Sequence, residues 1–160
     1  MPHARRFRLI ALVFTLALAP VAARADDDAK AIAVKATAAG AALFDARDAK
    51  GLAATYADDA RIEVYSKDKD SSALKVEPKV GRAEIQAYYE EIFKTLSTLH
   101  AKNTVENVRR IDGDLIVFSG VFEPDAESAE SWKVPFTQIR ARQGDAWKIV
   151  SLQIFIVPKK

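Results

Sequence analysis

The chain has no cysteine, which removes thiolate nucleophiles, Cys-ligated zinc and dithiol redox chemistry together. Histidine is almost as scarce, with His3 near the start and His100 as the only other. A histidine-cluster metal centre and any mechanism that needs two imidazoles in the body of the chain are excluded with it. Long apolar runs are also missing: the longest, Leu9 to Ala19, falls well short of the roughly 20 residues a membrane-spanning helix needs, and Pro20 closes it. Arg109, Arg110, Arg140 and Arg142 have no interleaved aromatic platform, so the basic residues make no case for nucleic acid.

What is present at the N-terminus is an export pattern. Arg5, Arg6 and Arg8 precede the short apolar run, and Ala23-Arg24-Ala25 stands before Asp26 as the small-residue pattern that signal peptidase reads. The sequence therefore predicts a signal peptide over residues 1–25, cleavage after Ala25, and one domain over residues 26–160. That domain is expected to be periplasmic or secreted and without a stable membrane anchor. Four of the 24 basic residues and none of the 22 acidic ones lie in the signal, so the remainder carries a net charge of −2. A near-neutral domain exerts no overall field on nucleic acid or anionic lipid. Its length is enough for one core without disulfide staples.

The periodicity predicts an α+β domain. An Ala-rich helix spans about Ala29 to Phe44, with Ile32, Ala36, Ala39 and Leu43 at helical spacing. Asp48 is placed to cap a second helix running through Leu52 and Tyr56, which the Asp58-Asp59 pair would end. Arg61, Glu63 and Tyr65 then alternate with Ile62 and Val64 as a strand. Ser66 to Val80 reads as a long polar connection. Gly81 with Glu84 opens a third helix, whose stripe of Ile85, Tyr88, Tyr89, Ile92, Phe93 and Leu96 is the clearest in the chain. After His100 come four strand patterns, Thr104 to Ile111, Leu115 to Phe122, Trp132 to Arg142 and Trp147 to Val157, with Asp112-Gly113-Asp114 and Gln143-Gly144-Asp145 as tight turns.

Several of these pieces fall in a familiar order: Asp45-Ala-Arg-Asp48, Tyr56-Ala-Asp-Asp-Ala60, Gly81-Arg-Ala-Glu-Ile85 with Tyr88-Tyr89, and Trp147-Lys-Ile-Val-Ser-Leu152. The set resembles the superfamily of SnoaL-like, nuclear-transport-factor-like and ketosteroid-isomerase-like proteins, which have a cystatin-like α+β cone. The resemblance implies three helices packed in the concave face of a strongly curved, mostly antiparallel sheet, a half-barrel with a pocket. It also locates the isomerase machinery. Aligned on the family pattern, the general base falls on Val64, the oxyanion tyrosine on Gly40 and its aspartic partner on Thr137. All three functions are absent. Loss of one oxyanion donor alone costs on the order of a hundredfold in rate, which argues against steroid isomerisation by that route.

The expected ligand-binding walls are Tyr56, Ile62, Val64, Tyr89, Thr137, Ile139, Leu152 and Ile154, with Tyr89 falling where the isomerases keep a pocket phenol. The leading expectation is an exported pocket protein binding a small apolar or aromatic molecule, with no cofactor and no metal. A cofactor-independent lyase, cyclase or isomerase is the alternative, with Tyr89 and Thr137 as donors and Glu63 or His100 as base. The third expectation is a non-catalytic dimeric interaction module. Asp58-Asp59 reads as structural, and Asp68 to Lys79 lacks the glycine and the bidentate Glu of a calcium loop. Val134, Phe136, Gln138 and Arg140, with Ile149, Ser151, Gln153 and Phe155, are expected on the outer sheet face, where the resemblance implies a homodimer contact.

Overall fold

In chain order the elements are α1 (Val21–Asp45), α2 (Ala49–Ala54), β1 (Tyr56–Lys67), β2 (Leu74–Val80), α3 (Gly81–Thr95), β3 (Ala101–Asp112), β4 (Leu115–Pro124), β5 (Val134–Gln143) and β6 (Ala146–Ile156). They come from a computed structural model, which describes residues 21–67, 73–95, 100–124 and 133–156. Residues 1–20 of the expected signal peptide and most of the acidic connection after Glu123 lie outside the described residues, as does the segment from Asp68 to Ser72. Among the described residues no helix is long and apolar enough to cross a membrane.

The six strands form one open sheet in the order β2-β1-β6-β5-β4-β3, with β1 and β6 parallel and every other pair antiparallel. The domain is α+β, as expected. α1 packs on β3, α3 packs on β1 and β2, and α2 is held against α3. Register shifts between Tyr56 and Arg61, between Val105 and Asn107, and between Ile139 and Arg140 interrupt the ladders. Such bulges bend strands, and they let the sheet curve around the helices. At Gly120 a Cβ would collide with the Thr104 carbonyl oxygen and crowd the Phe136 ring, so only glycine lets β3 and β5 flank β4 so tightly.

Local chemistry sets the helix ends. Asp48 accepts a hydrogen bond from the Gly51 amide at 2.7 Å and caps α2, as its position predicts. The helix stops earlier than the sequence suggests: Thr55 turns its hydroxyl back to the Leu52 carbonyl, and Tyr56 already belongs to β1. Asp58 and Asp59 are therefore exposed strand residues beside the first bulge and do not end a helix. Asp58 instead pairs with Arg82 at 2.7 Å, while the Arg82 Nε donates to the Tyr56 carbonyl. The start of α3 is thereby tied to the start of β1. Glu84 reaches back to accept from the Val80 amide, and Gly81 takes the positive φ of 80° that the corner requires.

Two further readings change. The connection Ser66 to Val80 contains β2, which pairs with β1 from Arg61↔Val80 to Lys67↔Leu74. Its alternation was hidden by charged residues because, as an edge strand, it is exposed along most of its length. On α1 the buried stripe is Ala29, Ala33 and Thr37, one position out of phase with the expected Ile32, Ala36 and Ala39. Small side chains suit close approach of helix to sheet, and the Thr37 hydroxyl is satisfied by the Ala33 carbonyl at 2.7 Å.

Candidate functional site

Helices and sheet enclose a cavity of about 250 Å³. α1 contributes Ala36, Gly40, Ala41 and Phe44; α3 contributes Tyr88, Tyr89 and Ile92; and the inner face of β5 and β6 completes the wall. The lining is chiefly apolar, in keeping with a pocket that takes up an apolar molecule.

Of its polar side chains, Thr37, Tyr56, Tyr89 and Arg140 are buried, and Thr55, Tyr88, Asn103 and Gln138 are half-buried. The hydroxyls of Tyr56 and Tyr89 are 2.7 Å apart, and the two residues are 1% and 8% exposed. Burial raises both phenols above the usual value of 10; the shared hydrogen bond pushes Tyr56 further up and draws Tyr89 partly back, and the nearby Arg140 charge lowers each. Arg140 is 4% exposed. Its Nε donates to Gln138 Oε1 and its Nη1 to the Trp147 carbonyl, each at 3.0 Å, and its guanidinium lies 5.9 Å from the Phe118 ring centre. Burial lowers its pKa to about 10, with the two tyrosines opposing the shift, so it is a cation at neutral pH.

Of the expected walls, Tyr56, Tyr89, Leu152 and Ile154 line the cavity. Ile62 and Val64 are buried in the core on the same face, paired with Leu152 and Ile154, but do not border the cavity. Thr137 and Ile139 are a correction. They pair with Gln153 and Ser151 on the opposite sheet face, and Val134, Phe136, Gln138 and Arg140 look inward instead. The expected outer face is corrected with them: on β5 it comprises Pro135, Thr137, Ile139 and Ala141. On β6 the register shift at Val150 separates Ile149, which faces the cavity, from Ser151, Gln153 and Phe155. Strict alternation cannot hold across a bulge.

The two proposed bases do not meet the cavity. Glu63 is on the outer face, where it accepts from Tyr65 and Gln153 and pairs with Arg61 at 2.8 Å. These partners, Gln153 foremost, hold its carboxyl below the usual value. His100 is exposed, with Nδ1 3.6 Å from Asp45. No Asp, Glu or His is among the described residues lining the cavity, and among the described residues no group of three His, Cys, Asp or Glu is placed to hold a metal. Sequence reasoning missed Arg140, Gln138 and Asn103 as cavity groups. A signal for Arg140 was present: the strand Val134 to Arg140 keeps its bulkiest apolar residue, Phe136, in the same parity as the arginine.

No family model matches the sequence, and no curated protein matches it either. Solved structures do resemble it. A Nostoc punctiforme domain of unknown function with a cystatin-like fold is 16% identical, with 84% of this chain and 79% of that one covered at a TM-score of 0.65. An NTF2-like protein with a cystatin-like fold from Novosphingobium aromaticivorans is 17% identical, covering 89% and 91% at a TM-score of 0.60. A ketosteroid isomerase-like protein from Erwinia carotovora atroseptica is 16% identical, covering 78% and 93% at a TM-score of 0.58. At such identities the likeness speaks to fold and not to activity. The cavity is thus the interior of a chain with the cystatin-like, NTF2-like cone fold that the sequence resemblance implied.

Proposed function

We propose that this is an exported pocket protein that binds a small, largely apolar or aromatic molecule in its cone cavity and does not isomerise steroids. The observation that carries the reading is the open cavity of about 250 Å³, apolar in most of its lining, with no carboxylate or imidazole among its described walls. A proton-abstracting enzyme needs a base within hydrogen-bond reach of its substrate. Glu63 and His100 lie outside the cavity, and the phenols are held protonated by burial, which weighs against the lyase, cyclase or isomerase alternative. A module whose interior is filled by its own side chains is disfavoured by the cavity itself.

Native mass spectrometry of the purified protein tests the reading. A non-covalent adduct of a few hundred daltons or less, released by organic solvent, is the expected result; a ligand-free spectrum together with no uptake of an environment-sensitive apolar dye would refute it. Export is tested by intact mass, which should show a chain beginning at Asp26.

A homodimer through the outer sheet face is favoured by Val117, Val121, Ile139 and Phe155, which are only half-buried on that face, with Tyr65 stacked on Phe155 at 5.1 Å between ring centres. A polar row of Glu63, Gln153, Thr137 and Ser119 crosses this face between Val117 and Ile139 on one side and Val121 and Phe155 on the other, so the contact would pair apolar and hydrogen-bonding strips together.

A further inference from the structure

Arg140 is a buried cation without a counter-ion. Its hydrogen-bond acceptors, Gln138 Oε1 and the Trp147 carbonyl, are neutral, and no ion pair involves it among the described residues. Desolvating a guanidinium with only neutral partners is costly, and an apolar residue of similar volume in its place is often neutral or stabilising. The Phe118 ring 5.9 Å away offsets part of that cost, but no opposite charge among the described residues balances the cation. A further donor stands nearby: one O–H of the Tyr56 and Tyr89 pair is used between them, and the other is left to donate. The three groups share one cavity whose other walls are chiefly apolar.

We infer that the ligand of this cavity carries a single anionic group, a carboxylate on an apolar or aromatic body, with the carboxylate on Arg140 beside the Tyr56–Tyr89 hydroxyls and the body against Phe44, Ile92 and Phe136. The inference rests on the cavity being a binding site as proposed above. A guanidinium fork matches a carboxylate in shape, and in a dry site their attraction is little screened. One cation and one free hydroxyl suit one negative charge, which favours a carboxylate over a dianionic phosphate. At neutral pH the guanidinium is charged, its pKa being lowered only to about 10.

Calorimetric titration of the purified protein with phenylbutyrate and with its neutral amide, phenylbutyramide, tests the inference, because the pair differ little but in charge. The carboxylate should bind about tenfold to a hundredfold more tightly, the range of one charge-assisted hydrogen bond. Arg140→Met should erase that preference and leave amide binding in place. Arg140→Lys, which keeps the charge without the fork, should reduce the preference and serves if the Met variant does not fold by circular dichroism. Equal affinity for the two probes in the wild-type protein would overturn the inference and leave the apolar pocket standing. A preference undiminished in either variant would overturn it as well. If neither probe binds, the pocket reading falls and the anion site with it.

Discussion

Replacing Tyr56 by Phe removes one half of a 2.7 Å hydroxyl contact in the interior and leaves the Tyr89 hydroxyl to find another partner. The expected loss is about 1 kcal/mol of unfolding free energy in urea, with Tyr89→Phe costing about the same. The double variant should lose less than the sum of the two, because each single change already breaks the shared bond. Additive losses would show that the hydroxyls are satisfied separately. Glu63 gives a pH signature on the other face. Its folded pKa is below the ordinary 4.5, so its stabilisation is fully present above that value and is lost as pH falls through the folded value. Glu63→Gln should therefore flatten the decline of the urea midpoint as pH falls below 4.5, while leaving ligand binding unchanged. An acid limb as steep in the variant as in the wild type would mean that other carboxylates set it.

At the scale of elements, α2 is only six residues long and depends on its ends. Asp48→Ala removes the acceptor for the Gly51 amide and should cost about 1 kcal/mol, read as a lowered urea midpoint with an unchanged slope. The tie from α3 to β1 through Arg82 has a different consequence. Arg82→Met breaks both its bond to the Tyr56 carbonyl and its partly exposed pair with Asp58. Because the Tyr56 backbone is what Arg82 holds, this change should weaken binding of a cavity ligand several-fold while costing no more than about 1 kcal/mol of stability. A loss of stability with unaltered affinity would place Arg82 in a purely structural role.

For the whole molecule the question is whether the interior is open and the sheet face sticky. Ala41→Leu projects three more carbons from α1 toward the cavity. In an open cavity it should abolish uptake of an apolar probe and leave the thermal midpoint within a few degrees, whereas a packed interior would lose about 1–3 kcal/mol to overpacking. On the outside, Ile139→Lys should turn a dimer into a monomer by analytical ultracentrifugation, since a charge opposite a self-complementary apolar face is met twice in a two-fold contact. A wild-type protein that already sediments as a monomer would remove the dimer reading.

Much of this architecture was legible in the residues. The Ile85 to Phe93 stripe, the Asp48 cap, the two Gly-Asp turns and the late run of strands are local patterns, enforced by helical spacing, by free amides at a helix start and by turn chemistry. The ordered set also carried the fold. Period two says which residues of β5 share a face, but not which face is covered; that was decided by pairing, where Phe136 meets Ile154 and Gln138 meets Leu152 on the inner side. The shift at Val150 let one strand present Ile149 and Leu152 to the same cavity, something no uniform alternation could show. β2 acquired its strand from a partner already in place. Tyr56 and Tyr89, 33 positions apart, became a hydrogen-bonded pair, and Arg140 became a buried cation, only when β1, α3 and β5 closed around the same space. Sequence set the elements, because their causes lie within a few residues; tertiary structure set the site, because burial and charge environment belong to neighbours distant along the chain.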